Sequence, residues 1–395
     1  MNTHATLSPS GAVKWLACPA APAMEFGLGD TSSEYAREGT AAHQLAEGAL
    51  NSASSAASFI GLPILVEGQT FTVDETMARH VQTYLDNVRE FAKGGTLLVE
   101  QKLSIAFLTG EPYAKGTADA VVVQGDELQV HDLKYGMGNQ VEAEANPQLQ
   151  IYALAALNEL GWLYDFKSIR LVIHQPRLSH LSEWSCSAGD LLSFGKRVAG
   201  GAALSRLILS GGRSPELYTT PGDHCRKGYC KARATCPALA ARVAEEVSKD
   251  FRAVDNNASL GSSRTAVPLI EDWCKAVRAK VEGELFSGRE VPGYKLVQGK
   301  KGNRKWADPV EAEAEMKRMG LLHAVIYEYK LSSPTSLEKA AKAGHVGPRQ
   351  WPKLQACSTQ PDGLPSVAPS SDKRPALILT PGADDFNDLT TTKEH

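Results

Sequence analysis

The sequence predicts an α/β fold: a core of helix, strand, hairpin, helix and strand, followed by a small α-rich domain. Four stretches carry that expectation. GTADAVVV (116–123) and ELQVHDLK (127–134) are apolar-rich strands around Gly125-Asp126, a pair suited to a short hairpin turn. Asn146 to Leu160 then reads as a helix with Pro147 in its first turn, where proline is tolerated, and SIRLVIHQ (168–175) as a buried strand. Upstream, Asp74 to Lys93 places Met77, Val81, Tyr84, Leu85, Val88 and Phe91 on one helical face, all core positions. After Gly94-Gly95, LLVEQKL (97–103) opens the sheet.

At 395 residues the chain has room for one large domain and a smaller one. Its 43% hydrophobic and 22% charged residues are those of a chain that builds a packed core. A net charge of −3 excludes a globally basic nucleic-acid binder, so any contact with DNA must come from local patches. No apolar run approaches the roughly 18 residues of a membrane span. The start, MNTHATLSPSG, lacks a secretory pattern, so a cytoplasmic protein without membrane contact is expected.

From the beginning, Ser8-Pro9-Ser10 opens a helix through Trp15 and Leu16 to Cys18-Pro19. Asp30-Thr31-Ser32-Ser33 precedes a second helix, EYAREGTAAHQLAEGAL, whose Ala42, Leu45, Ala46, Ala49 and Leu50 keep helical spacing. It carries Gly39-x-x-x-His43. NSASSAASF (51–59) reads as a surface linker.

The chemistry concentrates in the hairpin. Period-two alternation sets Asp132 and Lys134 on the strand face of Leu128 and Val130, and the hairpin brings Asp119 alongside. Oxygen ligands of this kind suit Mg²⁺ or Mn²⁺, and the lysine can hold or polarise a water attacking a phosphodiester. Gln148 and Tyr152, four residues apart, share one face of the next helix. Glu100-x-Lys102 is a second acidic-x-Lys, but it lacks a preceding GxxD and a following Q-x-x-x-Y and is set aside as the D-x-K site.

GTAD, then D-L-K a hairpin later, then Q-x-x-x-Y on the following helix, resembles the RecB-type branch of the PD-(D/E)XK nucleases. The likeness covers most of residues 8 to 350 and is strongest over 116–152. It implies an αβββαβ nuclease core in which His43, Asp119, Asp132 and the Leu133 backbone carbonyl ligate the metal. Lys134 would orient the attacking water, and Gln148 and Tyr152 would position the scissile strand. The resemblance also allows an acidic residue on the first core strand, which brings Glu100 to the edge of the site. PGYKLVxGxxxxRxW (292–306) resembles the second half of a phage-encoded family of unknown function within these nucleases, which implies the host cytoplasm as location.

Seven cysteines, an odd number in a large chain without a secretory start, argue against a disulfide framework. Three of them, Cys225, Cys230 and Cys236, crowd one window and point to metal ligation; thiolates suit zinc or an iron–sulfur cluster. His224 is available to zinc, although its adjacency to Cys225 makes joint ligation awkward. The resemblance supplies a fourth cysteine, because one RecB-like subgroup carries a W-x-x-C-P-like cysteine before the G-x-x-x-H helix. Cys18 matches it, which implies a [4Fe–4S] cluster on Cys18, Cys225, Cys230 and Cys236, with zinc as the alternative. The sequence departs from the usual spacing, with four residues rather than two between Cys225 and Cys230. Cys186, Cys274 and Cys357 read as ordinary residues. Arg226, Lys227, Lys231 and Arg233 form either a DNA path or a solvated face.

Residues 251–266 read as a linker without periodicity, and 267–357 as a small domain with possible DNA or partner contacts. Its helix from Val267 to Phe286 sets Leu269, Ile270, Trp273, Val277, Val281 and Leu285 on one face. Pro292 to Val297 follows as a strand, and further helices lie near 308–319 and 336–343. Lys300, Lys301, Arg304 and Lys305 beside Tyr294 and Trp306 suit a single-strand contact, or else a surface β-turn. Residues 358–395 have the composition of a disordered tail.

Together these readings predict a Mg²⁺/Mn²⁺-dependent deoxyribonuclease, an exonuclease rather than an endonuclease, in phage DNA replication or recombination. The alternative is a catalytically silent protein that holds DNA ends or assists a recombinase. A P-loop is absent from the sequence, so unwinding or annealing would need a partner such as a single-strand-binding or annealing protein.

Overall fold

The computed structural model of the chain describes residues 5–29, 34–248, 257–327, 331–359, 363–369 and 374–377. The chain divides into two units, Met1–Ala276 and Val277–His395.

In the first unit a turn at Pro9–Gly11, capped by the Ser8 hydroxyl, leads into α1 (Ala12–Ala17) and α2 (Ala21–Glu25). Helix α3 (Glu34–Asn51) follows; the Asp30–Ser33 run expected to open it lies outside the described residues. Strands β1 (Pro63–Val66) and β2 (Gln69–Thr72) form a hairpin, and α4 (Glu75–Phe91) starts at Asp74, whose side chain accepts from Met77 N at 2.7 Å. Then come β3 (Thr96–Ser104), the short α5 (Ala106–Thr109), β4 (Lys115–Gln124) and β5 (Glu127–Leu133). Next are α6 (Pro147–Leu160), β6 (Ser168–Gln175), β7 (His180–Ser187) and α7 (Ala188–Leu209). The unit continues through α8 (Asp223–Lys227), α9 (Pro237–Ser248) and the first part of α10 (Asn257–Phe286).

One five-stranded mixed sheet, ordered β3-β4-β5-β6-β7, is the frame. Only β5 and β6 run parallel, because only they are joined by a crossover through a helix, α6. Period-two alternation gives the sheet two buried faces. Val121, Val130, Leu128, Ile169, Leu171 and Ile173 meet Leu149 and Ile151 of α6, Phe194 of α7 and Trp15 of α1. Ala120 and Leu133 meet α3 and α4 through Leu45, Val81, Tyr84 and Leu85. Helices therefore cover both faces.

Several expectations are corrected. The hairpin β1–β2 and the strand β7 extend the predicted elements; β7 alternates half-buried and exposed residues and so lacks an apolar run. The segment 51–59 is mostly exposed, as expected of a surface linker, but Asn51 still belongs to α3, Ala56 is fully buried and Ala56–Phe59 form a 3₁₀ turn. Of the linker expected at 251–266, residues 257–266 are helical, the first turns of α10, and 251–256 lie outside the described residues. Lack of apolar periodicity there did not prevent helix, since Ala, Leu, Ser and Arg are all adequate helix formers.

The second unit contains β8 (Tyr294–Gly299), β9 (Lys305–Trp306), α11 (Pro309–Arg318) and α12 (His323–Ile326). It ends with α13 (Pro334–Lys342), α14 (Trp351–Ala356), β10 (Ser358–Thr359) and β11 (Gly363–Pro369). Ala312, Met316, Ile326, Leu337, Val346 and Leu354 form its core. The expected disorder from 358 onward is corrected: β10 pairs with β9 and β11 with β8. An unpaired strand edge recruits extended chain through backbone hydrogen bonds whatever its composition. The rest of that tail, apart from 374–377, lies outside the described residues.

The sheet core sets an expected stability effect. Leu171→Ala removes a fully buried side chain from the interior strand β6, and a loss of about 2–5 kcal/mol is expected, measured by urea denaturation.

Candidate active site

The β4–β5 register explains why two acids meet. Ala120 pairs with His131 and Val121 with Val130, so one step further Asp119 lies opposite Asp132, on the face covered by α6. Asp119 Oδ2 accepts the Leu133 backbone N–H at 2.7 Å, which ties the hairpin at its open end. Asp132 is nearly fully buried; Lys134 Nζ stands 2.9 Å from its Oδ2, and Gln148 Nε2 donates to its Oδ1 at 3.1 Å. Lys134 Nζ also donates to Gln148 Oε1 at 2.9 Å, so Gln148 bridges acid and base with its two amide ends. Gln148 reaches the site because Asn146 caps α6, accepting from the backbone N–H of Gln148 and Leu149. Tyr152 OH lies 3.5 Å from Gln148 Nε2.

From the opposite layer, α3 brings His43 Nδ1 to 3.2 Å from Asp119 Oδ1. Glu100 completes this side. On β3, Val99 pairs with Ala120 and Gln101 with Ala118, which leaves Glu100 opposite Asp119. Its φ of +48° is left-handed backbone in a residue other than glycine, a strain of about 1–3 kcal/mol that other contacts must offset. Among the described residues, His43, Glu100 and Asp119 are the one group of three or more acidic, histidine or cysteine side chains whose ligand atoms lie within 4.8 Å of one another. One imidazole nitrogen and two carboxylates fit a divalent cation.

The charges are strongly coupled. Burial alone would lower the His43 pKa, but the charge and hydrogen bond of Asp119, with Asp132 behind, raise it to about 9. Burial opposes ionisation of Asp119 too, and His43, the Leu133 N–H and Lys134 outweigh it, holding the acid below its usual range. Asp132 goes the other way, because burial and the charge of Asp119 exceed the help of Lys134. Burial, then Asp119 and Glu47, push Glu100 up to about 7. Three acids face two cations here, and the cluster answers by holding protons more tightly on His43, Asp132 and Glu100, a demand for positive charge that a bound divalent ion also meets.

The structure brings His43, Asp119, Asp132, Lys134, Gln148 and Tyr152 together at one end of the sheet. It also changes the weighting among them. Asp132 is engaged by Lys134 and Gln148 and stands outside the group of three, whereas Glu100, set aside as the D-x-K acid but expected from the resemblance at the edge of the site, belongs to it. The signal that finds Glu100 is its register opposite Asp119, which its own motif does not contain. Leu133 contributes its N–H to Asp119; no contact of its carbonyl is described.

Cys18, Cys225, Cys230 and Cys236 line one small pocket together with His224. Cys18, Cys225 and Cys230 are buried, and the Thr220 N–H points at Cys18 Sγ at 3.4 Å. The sulfurs do not form a group within 4.8 Å, so they stand further apart than the ligands of a single zinc ion at about 2.3 Å from each sulfur. His224 Nε2 is 2.6 Å from Thr220 O and so engaged by the backbone. Burial, then Glu25, pushes the Cys230 thiol up to about 12.

The basic residues divide. Arg233 is locked by two contacts to Asp272 at 2.8 and 2.9 Å, Lys227 lies 3.2 Å from Asp223, and the Lys231 backbone N–H donates to Glu25. Arg226 lines a surface pocket beside exposed Tyr229. In the second unit Arg304 pairs with Glu338 at 2.9 Å, and no ion pair of Lys300, Lys301 or Lys305 is described. Trp306, expected as a ring for bases, packs on that unit's core and donates to Ser332 O at 3.0 Å.

Two outcomes follow from this geometry. A β-carbon at Gly116 would stand 2.7 Å from the Tyr152 ring and 2.9 Å from Pro9; Gly116→Ala is expected to cost about 1–3 kcal/mol, read as a lower urea midpoint. Glu100 binds its proton more tightly folded than unfolded, so its contribution is lost as pH rises from 4.5 through about 7; that of His43 is lost as pH rises from 6.5 through about 9. The chelator-treated protein should therefore melt at falling temperature across this range, and Glu100→Gln should flatten the lower part of the fall. A family model described as a protein of unknown function (DUF2800) matches residues 4–375, and the chain belongs to that family.

Proposed function

We propose that this protein is a Mg²⁺- or Mn²⁺-dependent deoxyribonuclease with a PD-(D/E)XK-type core, acting as an exonuclease in phage DNA replication or recombination. The observation that carries the reading is the meeting of two buried acids, a lysine and a bridging glutamine at the open end of a hairpin, with His43 and Glu100 across from them. The helix–strand–hairpin–helix–strand order around them supports it. The donor set of His43, Glu100 and Asp119, with Asp132 beside it, fits a hard divalent cation, which when bound would polarise a phosphodiester and lower the pKa of a water. The chain's own residues do the rest. Asp119 and His43 orient each other. Lys134, held by Asp132 and Gln148, supplies a fixed positive charge for the anion that develops on attack. Tyr152 and Gln148 present an aromatic hydroxyl and an amide along the route to that point.

We further propose that the four cysteines hold a [4Fe–4S] cluster that joins the first helices to the end of the nuclease domain. A cubane spreads its thiolates more widely than one zinc ion does, which suits the open arrangement of the sulfurs. Anaerobically purified protein should absorb in the visible as such clusters do, less so after Cys230→Ala. A colourless protein with stoichiometric zinc would sink this assignment.

The function is tested by incubating end-labelled linear and closed-circular DNA with Mg²⁺ or Mn²⁺. Metal-dependent loss of linear DNA alone is expected, falling by about 100-fold or more in Asp132→Ala and Lys134→Ala. Cutting of circles would make the protein an endonuclease. DNA binding without metal-dependent cleavage would favour a silent end-binding protein instead.

A further inference from the structure

On the sheet face covered by α3 and α4, helix α4 and the β6–β7 turn bound a cavity of about 430 Å³. That volume belongs to small-molecule sites rather than to packing defects. Its walls are polar and aromatic: Arg79, His80, Tyr84 and Asn87 from α4, His174 and His180 from the other side. Tyr84 is 1% and His174 2% exposed, yet Tyr84 OH and His174 Nδ1 have no hydrogen-bond partner, and neither has His80 Nδ1. Buried polar atoms are almost always paired, so three orphans around one cavity call for a physical reason.

The protonation of the histidines follows from their neighbours. Gln129 Nε2 donates to the Glu127 carboxylate at 2.7 Å and to Gln124 Oε1 at 3.2 Å, which fixes Gln129 Oε1 towards His131 Nε2 at 3.1 Å. That oxygen only accepts, so His131 carries its proton on Nε2 and offers a lone pair at Nδ1. His174 Nε2, 3.1 Å away, must donate to it. His174 Nδ1 is therefore left as a bare acceptor, beside a tyrosine whose proton has no acceptor.

We propose that this cavity is a binding site for a mononucleotide. A nucleobase edge carries an N–H for the His174 lone pair and an acceptor for the Tyr84 hydroxyl, and the Asn87 amide matches either kind of group. Imidazole rings offer stacking faces. Arg79, for which no ion pair is described, offers a guanidinium to the phosphate. Tyr84 OH and His174 Nδ1 are out of reach of bulk water, so binding requires the half-buried His80 ring or another wall side chain to move aside. The inference stands apart from the nuclease reading, since it requires neither metal nor cleavage.

The full chain is titrated in EDTA with AMP, GMP, CMP, UMP and their deoxy forms, and with inorganic phosphate, by calorimetry and by melting temperature. Saturable binding of at least one mononucleotide is expected, at least tenfold weaker in Tyr84→Phe and in Arg79→Ala, with phosphate alone far weaker. Tyr84→Phe removes a hydroxyl that bonds nothing, so its melting temperature without ligand should match or exceed that of the parent; should it fail to fold, Arg79→Ala decides. No binding by any mononucleotide, undiminished binding in Arg79→Ala or in a folded Tyr84→Phe, or equal binding of phosphate alone would overturn the proposal. Binding with no DNA cleavage would leave it standing while the nuclease reading fell.

Discussion

Two carboxylates placed opposite each other inside a sheet cannot remain ionised without compensation, and the architecture around Asp119 and Asp132 answers that requirement. Removing charge from water is expensive, and the expense is met only if each lone pair finds a donor or a counter-charge. The β4–β5 register supplies the Leu133 N–H to Asp119, the end of β5 supplies Lys134 to Asp132, and the capped start of α6 supplies Gln148 to both Asp132 and Lys134. Helix α3 adds His43 from the other layer. Each element is held in position by its own apolar contacts, so the charges rest on rigid supports.

Compensation is incomplete on one side, and that imbalance is informative. Glu100 sits opposite Asp119 in strained backbone, where like charges repel. A sequence selected only for stability would replace it with a neutral residue of ordinary φ. Strain and repulsion directed into one group of three ligand atoms are the pattern of a site poised for a cation, and here they point into the same corner as His43.

The same division between satisfied and unsatisfied groups runs through the rest of the first unit. Around the cysteines, Lys14 pairs with Glu25 at 2.7 Å, and Glu25 also accepts the Lys231 N–H, so the beginning of the chain is tied to residues two hundred positions later. On the α4 face, the His131–His174 pair is fully ordered at one end by Gln129 and open at the other.

Sequence pattern alone was enough to place the helices and strands of the sheet core, because the 3.6- and two-residue periods of α4, β4, β5 and β6 follow directly from which side faces the core. The chemical constellation of Asp119, Asp132, Lys134, Gln148 and Tyr152 was legible for the same reason: a hairpin and the helix after it are local, and their spacing determines which side chains meet. Elements without an apolar period in their sequence were not legible, among them β7, the start of α10 and the strands of the tail, since backbone pairing and ordinary propensity leave no such period. Tyr84 read as core, and it is core; its unpaired hydroxyl is visible only once its neighbours are known. The approach of His43 to Asp119, the entry of Glu100 opposite Asp119, the locking of Arg233 by Asp272 and the arrival of Cys18 beside Cys225 were decided by tertiary structure. Each depends on the distance between segments far apart in the chain, which packing of the layers sets and no local period encodes.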